Sequence, residues 1–234
     1  DCSSTFDGVA QSLWGGLHIG LSGFAFWSHD IGGFYTIDDF MNQKPAENLY
    51  MRWTQHGVFS SHMRFHGMTP REPWEYRGIA DMLREWLRFR YALLPYIISE
   101  SKKSCESGLP VLRALVFEWK DDPAAWNVSD EYLFGDAFLV CPVFNEAGIR
   151  NIYLPASKWV DFWSGEIIHG PVYLKEIKSP LSRMPLFVRH NSVIEFAEPV
   201  QYTDQLKDAQ LFSIRFDDSY QGFDNSRLKE FIDI

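Results

Sequence analysis

The sequence has few cysteines, little positive charge and no long apolar run. Its 234 residues include 3 cysteines, which lack the paired spacing of a disulfide framework. This odd, sparse count favours reduced thiols, and we therefore expect a cytoplasmic protein. No apolar run reaches the roughly 18 residues that a membrane-spanning helix needs, so the sequence predicts no such helix.

Acidic residues outnumber basic ones, 31 against 22, which gives a formal net charge of −9. An acidic chain is repelled by nucleic acids and by anionic membranes, and neither is expected as a partner. Hydrophobic residues make up 46% of the chain, enough for a substantial core, and no repeat or low-complexity tract is present. Aromatic residues, at 16%, fit a packed core as well as a sugar-binding site.

The first 137 residues alternate between helical and strand patterns. Apolar residues at helical spacing predict helices over residues 7–19, 46–59 and 76–104, the last kinked at Pro95. An apolar run predicts a strand over 22–27, and residues 110–119 are interpreted as the last strand of the same sheet. Such alternation is typical of a parallel α/β arrangement, here the C-terminal portion of a (β/α)8 barrel.

From about residue 138 the pattern changes to short apolar strands separated by turn residues. This spacing predicts an antiparallel β-sandwich, complete or in part, over residues 138–234, after a barrel portion over residues 1–137. The predicted strands are 138–143, 151–154, 159–163, 172–177, 186–188, 193–196 and 211–216.

One stretch, Gly20 to Phe34, combines an aromatic strand with a polar cluster. The strand stops at Ser28-His29-Asp30, and two glycines then allow the backbone to turn. In an α/β barrel, catalytic side chains gather at the C-terminal ends of the strands. A carboxylate and an imidazole beside aromatic rings suit sugar recognition, because the rings cover the apolar face and the polar groups bind hydroxyls.

This stretch and several other motifs resemble glycoside hydrolase family 31, the α-glucosidases and α-xylosidases. The motifs occur in the order of the family over roughly the first 195 residues, and the rest matches only loosely. They are Asp1-Cys2, Phe6-Asp7, Leu13-Trp-Gly-Gly-Leu17, Trp27-Ser-His-Asp-Ile-Gly-Gly-Phe34, Ser60-Ser-His-Met-Arg-Phe-His-Gly67, Arg71-Glu-Pro-Trp74, Leu133-Phe-Gly-Asp-Ala-Phe-Leu-Val-Cys-Pro-Val143, Val160-Asp-Phe-Trp-Ser-Gly-Glu166 and Pro185-Leu-Phe-Val-Arg189.

The resemblance implies a role for seven residues. Asp1 corresponds to the general acid/base, and Asp30 and His66 to contacts in the sugar subsite. Arg64 is expected to hold these groups in place by pairing with a carboxylate. His29 is expected to support them without contacting the sugar itself. The remaining two, Trp27 and Phe34, would form the apolar wall.

Each of these residues also has a purely structural interpretation. Asp1 could be a solvated terminal aspartate, Asp30 a loop cap, His66 a structural histidine and Arg64 a surface residue. Trp27 and Phe34 could equally well have no role beyond packing in the core. The matching motifs favour the functional interpretation.

One catalytic element of the family, the nucleophile, has no counterpart in this sequence. The nucleophile of the family is an aspartate on an earlier barrel strand, in a Lys-x-Asp-x-x-Glu or Asp-x-Asn-Glu setting, and no such segment occurs here. We therefore interpret the chain as the C-terminal part of a longer enzyme and expect it to be inactive alone.

The predicted activity is retaining hydrolysis of terminal α-glucosyl or α-xylosyl residues by double displacement, with an oligosaccharide or glycoside as partner. No cofactor and no metal are expected, and an oligomer is possible for the intact enzyme. Two alternatives stay open. One is a non-catalytic carbohydrate-binding or scaffold module, and the other is a metal-dependent barrel hydrolase. The latter would use His62 and His66, four residues apart on a helix, together with Asp30.

Overall fold

The computed structural model describes residues 2–38 and 42–223. Asp1, the predicted acid/base, lies outside the described residues. Among those residues, four α-helices precede the main sheet, in good agreement with the predicted helical segments. They are α1 (Phe6–Leu21), α2 (Glu47–Val58), α3 (Ala80–Ala92) and α4 (Leu94–Ser107).

Local sequence explains where these helices begin and break. The Thr5 side chain caps α1 by accepting a hydrogen bond from the Gly8 backbone N–H at 2.9 Å. The predicted kink is confirmed, because α3 ends before Leu93 and Pro95 stands in the first turn of α4. Proline lacks a backbone N–H and its ring collides with the preceding helical turn, but it is tolerated in a first turn.

Two short strands, β1 (Asp30–Ile31) and β2 (Arg64–Phe65), form a parallel pair within the α/β portion. The predicted strand over 22–27 is not formed as regular structure, since ladder pairing begins only at Asp30. Backbone contacts to residues 24–29 are sparse, and one of them is the Val111 N–H donating to the Ala25 carbonyl. An apolar run specifies burial, but a strand also requires a neighbour to bond along its length.

The second half is dominated by antiparallel strands, as expected for a β-sandwich. The strands are β3 (Leu112–Arg113), β4 (Tyr132–Phe134), β5 (Phe138–Val140), β6 (Ile149–Leu154), β7 (Lys158–Asp161), β8 (Ile167–His169), β9 (Val172–Lys178), β10 (Leu186–Arg189), β11 (Ser192–Ala197) and β12 (Leu211–Phe216). A six-stranded sheet has the order β3-β4-β5-β10-β7-β8, and two further pairs join β11 to β12 and β6 to β9.

The interpretation of residues 110–119 as the last barrel strand is wrong. Leu112–Arg113 instead pairs antiparallel with β4 and opens the six-stranded sheet. This sheet therefore begins before residue 138, the predicted start of the sandwich. An apolar run of this length fits a buried parallel strand and an antiparallel strand covered on both faces equally well.

In the six-stranded sheet, the strands β4, β5 and β10 are buried on both faces. On one face, Phe138 packs against the helices, with its ring 5.5 Å from that of Phe59 after α2 and 5.2 Å from that of Tyr96 in α4. On the other face, Leu139 belongs to a second core with residues of β6. Because both faces are covered, the strands show continuous apolar runs instead of alternation. Within the described part, no helix combines the length and apolar character needed to cross a membrane.

Candidate active site

The parallel pairing of β1 and β2 brings two predicted site residues together. Asp30 lies opposite Arg64 in the register, and Arg64 Nη2 is 2.6 Å from Asp30 Oδ1. The Asp30 side chain is 7% exposed and that of Arg64 is 55% exposed. A carboxylate this buried needs a charged partner, and the guanidinium supplies it while remaining accessible from solvent.

Two further predicted residues, Phe34 and His66, lie side by side beyond the ends of these strands. Their ring centroids are 5.4 Å apart, with the planes inclined at 55°. The Met68 N–H donates to the Phe34 carbonyl at 2.8 Å, which joins the loop after β1 to the loop after β2. The His66 imidazole is exposed. It is therefore free to contact a ligand beside an aromatic ring.

The N-terminal segment is bonded to the same loop. The Phe34 N–H donates to the Cys2 carbonyl at 2.8 Å, and the Ser4 N–H donates to the Tyr35 carbonyl at 2.7 Å. Burial raises the pKa of the Cys2 thiol, and the Asp30 carboxylate raises this pKa further. Cys2, the neighbour of the predicted acid/base in the sequence, thus belongs to the same site.

Close approach of this segment requires a glycine at position 33. Gly33 has φ of +78°, and a Cβ built on it would lie 2.7 Å from the Ser4 backbone nitrogen. Any other residue would be strained in this left-handed conformation and would collide with the N-terminal segment. The second glycine of the His-Asp-Ile-Gly-Gly sequence is therefore needed to assemble the site.

Arg71 lies in the Arg71-Glu-Pro-Trp74 motif, and the motif alone indicates no role for it. The Arg71 guanidinium is buried and donates from Nε to the Gly33 carbonyl at 3.0 Å and from Nη1 to the Thr69 carbonyl at 2.9 Å. Burial lowers its pKa. Arg71 thereby joins the two loops that carry Phe34 and His66.

Trp27 is placed differently from the other described site residues. Its indole packs on α1, where a Cβ added to Gly16 would lie 2.1 Å from Trp27 Cζ2. It also lies 5.7 Å from the His29 ring, measured between centroids. Successive residues of an extended segment point to opposite sides, so Trp27 and His29 face the helices while Asp30 faces away from them. The prediction that Trp27 lines a sugar site gains no support from these contacts.

The helix that the metal-binding alternative requires is not formed. Of the three residues between His62 and His66, Arg64 and Phe65 form the extended strand β2. Over residues 2–38 and 42–223, no group of three or more histidine, cysteine, aspartate or glutamate side chains is arranged to hold a metal ion.

Fold and site together define an α/β-barrel segment with a polar and aromatic cluster at its strand ends, followed by an antiparallel β domain. The profile of the glycosyl hydrolases family 31 TIM-barrel domain matches residues 1–100. That of the glycosyl hydrolase family 31 C-terminal domain matches residues 108–194. The chain belongs to glycoside hydrolase family 31. The second match begins a few residues before β3, the strand with which the six-stranded sheet begins.

Proteins similar to this chain include one named α-xylosidase and one named α-glucosidase. The α-xylosidase XylQ of Lactiplantibacillus pentosus is 38% identical over 197 residues, which is 82% of this chain and 25% of that protein. The α-glucosidase 2 of Bacillus thermoamyloliquefaciens is 32% identical over 209 residues, 87% of this chain and 26% of the relative.

A solved structure, the GH31 α-xylosidase from Xanthomonas citri, matches with a TM-score of 0.84 and 35% identity. The match covers 91% of this chain and 24% of that one. The chain therefore spans about a quarter of the length of the relatives it matches.

Proposed function

We propose that this chain is the C-terminal part of a retaining α-glycoside hydrolase that removes terminal α-xylosyl or α-glucosyl residues. The observation that carries the proposal is the convergence of Asp30, Arg64, Phe34 and His66 at the ends of two paired parallel strands. Strand ends of this kind carry the catalytic groups of barrel enzymes. The names of the two relatives support both sugars.

In this proposal, Asp1 protonates the leaving oxygen and later activates water, while a nucleophile from outside this chain attacks the anomeric carbon. Asp30 and His66 bind sugar hydroxyls, and Phe34 covers an apolar ring face. Arg64 holds the Asp30 carboxylate in its orientation by its 2.6 Å contact. Charged groups fixed before the substrate arrives need little reorganisation as charge develops in the transition state.

We expect the isolated 234-residue chain to be inactive, because a retaining mechanism needs two carboxyl groups that flank the bond. Aryl α-xyloside and aryl α-glucoside hydrolysis should be measured for the chain and for the full-length gene product. Turnover by the isolated chain at the rate of the full-length enzyme would contradict this prediction.

The same assay tests the proposed function itself. The full-length enzyme should hydrolyse at least one of the two aryl α-glycosides, and the product released first should retain the α configuration by NMR. Activity should persist after dialysis against a chelator, because chemistry between two carboxyl groups requires no Lewis acid. Loss of activity to the chelator and its recovery with zinc would favour a metal-dependent hydrolase instead.

We expect His66→Ala in the full-length enzyme to lower kcat/KM by about tenfold or more, the scale of one lost hydrogen bond to the substrate. The thermal midpoint should stay the same, because the imidazole is exposed. His169→Ala is the matched control, since His169 is an exposed histidine of β8 in the β domain. A lower midpoint with unchanged kinetics would assign His66 a structural role only.

A further inference from the structure

Behind the site lies a pair of buried histidines, His29 and His56, called here the imidazole stack. Their ring centroids are 4.5 Å apart and the ring planes are inclined by only 4°. His29 directly precedes Asp30, and His56 belongs to α2. Both side chains are buried in the core. The stack therefore connects the strand that carries Asp30 to the neighbouring helix.

Each imidazole of the stack is oriented by one hydrogen bond through Nδ1. Trp53 Nε1 donates to His29 Nδ1 at 2.9 Å, so this nitrogen of His29 carries no proton. His56 Nδ1 lies 3.0 Å from the Tyr132 hydroxyl oxygen. Since that hydroxyl donates to the Phe59 carbonyl at 2.9 Å, it must accept from His56 Nδ1–H.

Both rings are neutral at ordinary pH. Burial, with a smaller effect from Arg64, lowers the pKa of His29 to about 3. Burial and the neighbouring His29 lower the pKa of His56 well below its ordinary value. Two neutral rings stack without the repulsion that two imidazolium ions would suffer, so the lowered pKa values fit the stacked geometry.

The contacts that begin at His29 and pass through His56 end at the hydroxyl of Tyr132. Tyr132 belongs to β4 of the six-stranded sheet and is fully buried. We propose that Tyr132 is a positioning residue for the active site: its hydroxyl orients His56, the stack orients His29, and His29 fixes the backbone from which Asp30 reaches Arg64. This inference rests on the proposed function, because it concerns the geometry of the proposed sugar-binding carboxylate.

Side chains of the extended segment alternate between its two sides. His29, on the side of the helices, can therefore influence Asp30, which points to the other side. Adjacent side chains point in opposite directions, so anchoring His29 among the helices directs Asp30 away from them. A shift in the His29 backbone changes the direction of the Asp30 carboxylate. A misplacement of about 1 Å at a reacting site can reduce the rate by up to about 100-fold.

The test uses Tyr132→Phe in the full-length enzyme, with Tyr96→Phe as the matched control. Tyr96 is also buried, and its hydroxyl makes two hydrogen bonds, to the Phe134 carbonyl at 2.8 Å and from the Ala137 N–H at 3.1 Å. Both substitutions remove one buried hydroxyl, and both should lower Tm similarly. Only Tyr132→Phe should lower kcat/KM, by roughly tenfold.

A double-mutant cycle with Asp30→Asn shows whether Tyr132 acts through Asp30. The loss from Tyr132→Phe should shrink to within about twofold in the Asp30→Asn background, because the group being positioned has already been changed. Its effect on Tm should persist there. If Tyr132→Phe does not fold, His56→Phe keeps a stacked ring, removes the bond to the hydroxyl, and should give the same cycle.

Equal kinetics for Tyr132→Phe and Tyr96→Phe would overturn the inference and leave the proposed function intact. An undiminished loss in the Asp30→Asn background would also overturn it. A wild-type full-length enzyme that hydrolyses no aryl α-glycoside would overturn the proposed function and the inference with it.

Discussion

The Asp1→Ala variant of the full-length enzyme is expected to hydrolyse glycosides with poor leaving groups about 10²–10⁴-fold more slowly than the wild type, the usual contribution of general acid catalysis. Aryl glycosides with good leaving groups should be affected much less in the first step, because their departing oxygen needs no proton. Azide, which needs no general base, should restore turnover of activated substrates and yield an α-glycosyl azide. Steady-state kinetics on both substrate types measure the difference.

Asp7→Ala is the control for this experiment, since Asp7 is an exposed carboxylate in the first turn of α1. It should leave both substrate types unaffected. Equal slowing of good and poor leaving groups by Asp1→Ala, without a response to azide, would contradict the acid/base assignment.

The second large effect is expected on stability, from Arg90→Met in α3. The buried Arg90 guanidinium donates from Nη1 to the Val58 and Ser60 carbonyls, both at 2.7 Å, and from Nη2 to the Ser61 carbonyl at 3.1 Å. These carbonyls lie at the last residue of α2 and just beyond it, where a cation also complements the helix dipole. A buried carbonyl left without a donor costs about 1–3 kcal/mol, so we expect a loss of roughly 3 kcal/mol in the free energy of unfolding.

Urea-induced unfolding of the full-length enzyme, followed by tryptophan fluorescence, measures this loss. Arg84→Met on the same helix is the control, because Arg84 forms an exposed ion pair with Asp81. Its replacement should change the free energy of unfolding by less than about 0.5 kcal/mol. Arg90→Lys should recover only part of the loss, since one ammonium cannot reproduce the planar fork of donors. Similar stabilities for Arg90→Met and Arg84→Met would show that the three carbonyls need no donor.

Arg90 also illustrates how a distant helix supports the site. The carbonyls that it binds belong to residues 58–61, and Arg64 and His66 follow within a few residues. We therefore expect activity to be lost together with stability in the Arg90→Met variant.

The helices were predictable because their signals are local. Apolar residues at a spacing of three and four predicted α1 and α2, and the proline at position 95 predicted the break between α3 and α4. Most strands after residue 138 were predictable for the same reason, since turn residues separate short apolar runs. Strands β4 and β8 were missed, and residues 110–119 were assigned to the wrong sheet. Apolar runs report burial without indicating which neighbour provides it.

The sequence by itself determined the family, through motifs whose residue types and order are characteristic, and it named Asp30, Arg64, Phe34 and His66 before any contact was known. Only the tertiary structure decided how these residues meet. The contact between Asp30 and Arg64 joins positions 34 residues apart through strand register. Tyr132 reaches His56 across 76 residues, and no local pattern encodes that contact. Periodicity and propensity act over a few residues, whereas such contacts depend on how whole elements pack.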